Sequence, residues 1–124
     1  MFFRKSAGNA VIDFLNRADH EIERAYITRD GINLSRVLAP RLFDLISDSL
    51  YDMQKVVRGN SQYKKSKWSV IGESGSVTSV LKETKFEKIK LTRNICLAVG
   101  QDRKEIWEVV KNGNTLLVQS IKEV

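Results

Sequence analysis

The sequence holds a single histidine, a single cysteine and a single proline, and each scarcity closes off a class of chemistry. With His20 alone, histidine pairs for acid–base work and metal sites built from several imidazoles are ruled out. A Ser-His-Asp triad needs only one histidine, but His20 stands between Asp19 and Glu21 and reads as a solvated helix residue. With Cys96 alone, neither an intrachain disulfide nor a cysteine-based zinc site can form. Its place in the stretch Asn94 to Val99 is that of a small buried hydrophobe. The lack of paired cysteines fits a reducing compartment, so a cytoplasmic location is expected. Long apolar runs are missing too: the longest, Ile95 to Val99, falls far short of the roughly 20 residues of a membrane span, and no membrane contact is expected. Near the start, Asn9 and Asp13 interrupt what would have to be the apolar part of a signal peptide.

What the chain does have is patterning. Its 124 residues, 42% of them hydrophobic, suit a single soluble domain spanning 1–124 without staples. From about 9 to 27, apolar residues recur at Val11, Phe14, Leu15, Ala18, Ile22, Ala25 and Tyr26, the spacing of one helical face. Asn9 is positioned to cap this helix, and Gly31 to end it through a positive φ. A second helix is expected over about 40–58, opened by Pro40, whose missing N–H costs nothing in a first turn. Its apolar face comprises Leu42, Phe43, Leu45, Ile46, Leu50, Met53, Val56 and Val57, with Gly59 as the stop.

Beyond Gly59 the period shortens to two, at Lys67-Trp68-Ser69-Val70 and Lys88-Ile89-Lys90-Leu91, and a β-rich region is expected over about 66–122. Ile95 to Val99 reads as a strand buried on both faces, either central or covered by helices. Asn112-Gly113 joins two strands in a hairpin. The stretch 73–81 is compatible with a capped helix or with a strand from Val77 to Leu81 after a turn at Gly75, and the strand is favoured. The fold expected is α+β: an N-terminal antiparallel helix hairpin packed on a four- or five-stranded antiparallel β-meander. The same order is compatible with a cone-shaped sheet around N-terminal helices, as in the nuclear-transport-factor-like architecture, by analogy of order alone.

Charge divides the chain. Up to residue 54 there are seven Lys or Arg against eight Asp or Glu; after it there are fourteen against seven. Lys55, Arg58, Lys64, Lys65 and Lys67 form a stretch without acids, interleaved with Tyr63 and Trp68, and Lys88, Lys90 and Arg93 belong to a second basic stretch. Such a surface suits a phosphate backbone, with Tyr63 or Trp68 available to stack on a base. The alternative for these lysines is a wet sheet face or a guarded edge strand, and for Trp68 and Trp107 the core. Asp19, Glu21 and Glu23 read as a charged helix face, with Glu21 paired to Arg17 and Arg24. Asp44, Asp48 and Asp52 repeat every four residues on the second helix, a stripe that supplies ligands from one side only and so suits a basic protein partner better than a metal.

No catalytic set, metal site or cofactor fingerprint emerges; Gly72-Glu73-Ser74-Gly75 lacks the spacing of a P-loop or dinucleotide loop. Three functions remain in order. The first is a non-catalytic protein whose basic half, through Lys55, Arg58, Tyr63, Lys64, Lys65, Lys67, Lys88, Lys90 and Arg93, contacts an anionic partner, foremost nucleic acid. The second is a protein-interaction module, an inhibitor, immunity-type partner or assembly subunit, using Phe2, Phe3 and the aspartate stripe toward a protein or a second copy. The third is a toxin-like ribonuclease that works without metal through Arg58, Tyr63, Lys64 and Lys65.

Overall fold

A computed structural model describes residues 7–50, 64–86, 88–92, 95–98 and 102–124. Helix α1 runs Ala7–Thr28, a 3-10 turn Leu34–Arg36 and helix α2 Pro40–Ser49; then come strands β1 Lys64–Ser74, β2 Val77–Phe86, β3 Lys88–Thr92, β4 Ile95–Ala98, β5 Arg103–Asn112 and β6 Thr115–Glu123. The class is α+β, as the change of period indicates. β1, β2, β5 and β6 form a four-stranded antiparallel sheet in that order, and among the described residues β3 pairs with β4 in a separate two-stranded sheet. The strand expected at Ile95 to Val99 is therefore not central. It belongs to a hairpin excursion between two strands, β2 and β5, that are themselves neighbours. Phe86 N–H donates to Asp102 Oδ1 at 3.0 Å across the base of that excursion.

Both turns of the main sheet use a glycine at the first place of a two-residue loop. Gly75 between Ser74 and Val77 has φ +59°, and Gly113 between Asn112 and Thr115 has φ +62°, values that cost a residue with a Cβ. The 73–81 stretch is thus the β1–β2 hairpin. Helix α1 begins before Asn9, so that residue lies inside the helix, and it ends not at Gly31 but at Arg29, which takes φ +57° while its Nη1 donates to Leu50 O at 3.3 Å. Gly31 meets a different constraint: a Cβ there would stand 3.0 Å from a Leu50 methyl and 3.2 Å from one of Leu34, so those side chains would have to give way.

The core forms where one face of α1 meets one face of the sheet. Phe14, Leu15, Ala18, Ile22 and Ala25 from the helix are buried with Val80, Trp107, Val109 and Val118, and α2 adds Leu42 and Ile46. Each of the larger side chains contributes about 1.5–3 kcal/mol by leaving water. Leu45, expected on the same face of α2, is instead 62% exposed. The helices touch through Tyr26 Oη and Ser49 Oγ at 2.5 Å, while the nearest backbone neighbours of α1 and of the described part of α2 are the 3-10 turn and β6. Leu38 makes a parallel bridge to Val118, with Ala39 N–H donating to Val118 O at 2.9 Å and Val118 N–H to Val37 O at 2.8 Å, which covers part of the β6 edge. The residues expected to extend the second helix over 51–58 lie outside the described residues.

Candidate functional site

Because side chains alternate across a strand, the basic stretches split between two faces of the sheet. The register places Lys64, Trp68, Lys82 and Thr84 toward α1, together with Glu105 and Trp107, and Lys65, Lys67, Glu83, Lys85 and Lys104 on the opposite face. The two faces use their charges differently.

On the inner face the charges are buried and paired. Lys82 Nζ is 2.7 Å from Asp19 Oδ2, and Lys64 Nζ is 3.2 Å from both Asp19 Oδ2 and Glu23 Oε2. Asp19 and Glu23 sit one turn apart on α1, so their carboxylates descend side by side onto the lysines. The Lys82 ammonium, wholly buried, also lies 5.3 Å from the centre of the Trp68 ring and 5.2 Å from that of Trp107, the two indoles standing edge to face at 5.1 Å. Trp68 Nε1 donates to Asn16 Oδ1 at 2.8 Å. Arg103 Nε lies 3.6 Å from Glu105 Oε1.

Burial pushes the Asp19 carboxyl up, but the Lys82 and Lys64 ammoniums outweigh it and hold the group below its ordinary value. For Lys82 burial wins: loss of hydration lowers its pKa despite Asp19 beside it. Three sequence expectations are corrected here. Asp19 and Glu23 are not part of a solvated helix face, and no ion pair joins Glu21 to Arg17 or Arg24. Lys64, expected on the phosphate-facing surface, is tied down inside. Trp68 faces the interior, packed against the core, and Trp107 is fully buried within it. The period-two run Val80-Leu81-Lys82-Glu83-Thr84 was the signal for Lys82, since it puts that lysine on the same face as Val80.

The outer face is different. Lys65 stands directly across from Lys85, and Lys67, Glu83 and Lys104 form a row over three strands. The four lysines are exposed, and no ion pair ties Lys67 or Lys104 to the glutamate between them. Like charges opposite one another weaken a sheet, and Lys65 and Lys85 are such a cross-strand pair. Of the other residues expected in a basic site, Lys88 and Lys90 occupy register positions opposite Ala98 and Cys96 in the small sheet, and Lys55, Arg58, Tyr63 and Arg93 lie outside the described residues. Lys85 and Lys104 complete the cluster, and Lys104 is visible only through strand pairing.

Asp44 and Asp48 are exposed on α2 on either side of Leu45, while Asp52, Phe2 and Phe3 lie outside the described residues. Among the described residues no group of three His, Cys, Asp or Glu is placed to hold a metal ion, and no helix is long and apolar enough to cross a membrane. Comparison with known protein families, with curated proteins and with solved structures finds no match.

Proposed function

We propose that the chain is a binding protein that holds a phosphate backbone on the outer face of its main sheet, nucleic acid being the foremost partner, through Lys65, Lys67, Lys85 and Lys104. The observation that supports this is their convergence: lysines from three strands stand together at one end of one face, exposed, with a single glutamate among them. Trp68 is turned inward and bonded to Asn16, so contact through this face relies on charge rather than on stacking by that residue. Binding of this kind is indifferent to base sequence and steep in salt.

The test is affinity for single- and double-stranded DNA and RNA over a salt series. Four phosphate contacts on duplex DNA correspond to a logarithmic salt slope of about −3.6. Absence of binding at low salt, or binding that ignores salt, overturns the reading.

A second reading is supported by α2, where Leu45 is 62% exposed between Asp44 and Asp48: an apolar contact flanked by two carboxylates suits a basic protein surface. Isolation of the chain with its bound partners, compared between wild type and Leu45→Ser, tests it; loss of a stoichiometric partner in the variant is the expected result. The ribonuclease reading is not taken up, because the Lys64 ammonium is held by Asp19 and Glu23.

A further inference from the structure

Away from the lysine face, α1, the 3-10 turn and the β5–β6 turn enclose an open cleft of about 720 Å³. That volume is within the range of about 300–1,000 Å³ typical of small-molecule sites. Three elements distant in sequence line it, and they divide the work. Phe14, Val37 and Leu116, buried or half-buried, give it an apolar floor. Arg17 and Arg36, both exposed, bring a guanidinium from α1 and another from the 3-10 turn, and neither has an ion-pair partner among the described residues. Asn33 and Asn114 add side-chain amides from two separate turns.

We propose that this cleft binds a small organic anion with a flat apolar body, its acidic group between Arg17 and Arg36 and its rings on Phe14, Val37 and Leu116. Guanidinium groups suit carboxylate, sulfonate and phosphate oxygens because their N–H groups form a fork that matches two acceptors. Glu21, in the same cleft, rejects a second acidic group nearby and so favours a ligand that is acidic at one end only. Two arginines with no ion-pair partner among the described residues, beside that glutamate, are what distinguishes the cleft from an ordinary charged groove, where such groups neutralise one another.

The full chain is titrated with anilinonaphthalene sulfonate, a flat apolar anion, and with phenylnaphthylamine, the same ring system without the sulfonate. Three proteins are compared: wild type, R17Q/R36Q, and K65Q/K85Q on the lysine face. The expected result is one saturable site that prefers the sulfonate by about tenfold or more in wild type, a difference of about 1.4 kcal/mol. R17Q/R36Q abolishes that preference while still binding the neutral compound, and K65Q/K85Q retains it. In wild type the side-chain amide resonances of Asn33 and Asn114 shift on titration with the sulfonate. Sulfonate binding that survives R17Q/R36Q, that disappears instead in K65Q/K85Q, or that leaves the Asn33 and Asn114 amides unmoved overturns the proposal. The lysine-face variant also separates this site from the proposed nucleic-acid surface, so failure of one leaves the other standing.

Discussion

Asp19 and Lys82 reach each other from a helix and a strand, and their charged atoms meet at 2.7 Å with the lysine excluded from water. Removing one partner leaves the other as an uncompensated charge in the interior. Asp19→Asn is therefore expected to cost about 3–5 kcal/mol, and replacing both residues by apolar ones, as in D19L/K82M, to recover most of it. Urea denaturation of the three proteins reads this directly. A D19N loss under about 1 kcal/mol would show that the pair is not isolated from solvent.

The same pair sets the pH dependence of stability. Since the Asp19 pKa is lowered by folding, its contribution is present above the ordinary value of 3.8 and is lost as pH falls through the lowered one. Lys82 is also lowered, from 10.5, so between its folded value and 10.5 the unfolded chain binds more protons and stability rises with pH. Urea midpoints measured across pH should fall more gently on the acid side for D19N than for wild type. On the alkaline side K82M should lack the wild-type rise. Parallel curves for wild type and both variants would contradict these signs.

Lys85 offers a separation of binding from stability. Lys85→Gln removes one of two like charges facing each other across β1 and β2, and a gain of a few tenths of a kcal/mol is expected. The same change should weaken nucleic-acid binding and reduce the salt slope by about one. A variant more stable yet weaker in binding is the outcome a functional face predicts. Loss of stability without change in binding would assign Lys85 to the fold instead.

Two glycines should fail for different reasons. Gly113→Ala places a Cβ at φ +62°, with nothing within 4 Å, and should cost about 1–2 kcal/mol through backbone strain alone. Gly31→Ala meets the Leu50 methyl at 3.0 Å, so its cost should depend on what stands at residue 50. Thermal unfolding of G31A, L50A and the double variant should be non-additive, whereas G113A and L50A should add.

How far the sequence could be read follows from what each residue depends on. Pro40, the α1 stripe and the β5–β6 hairpin are local devices that formed as their patterns indicated, though the hairpin's two-residue loop is Gly113-Asn114, with Asn112 still paired in β5. Lys64 and Lys82 depend on partners far along the chain: only the approach of Asp19 and Glu23 from α1 makes a buried lysine tolerable, and composition counts it as surface. Leu45 followed the helical stripe, but the sheet covers a narrower arc of α2 than the stripe spans. The outer lysine cluster was partly legible, since Lys65 and Lys67 belong to one basic stretch and Lys85 to the next, whereas Lys104 joins them only through register. The Arg17–Arg36 cleft left no trace, because its walls come from three distant segments and no spacing links them.

The clasp between Phe86 and Asp102 has a consequence for how this fold can vary. β2 and β5 pair directly as neighbours, and among the described residues the ladders of the main sheet include no residue of β3 or β4. Length and sequence can change there without disturbing the framework, as with an exchangeable attachment on a fixed mount.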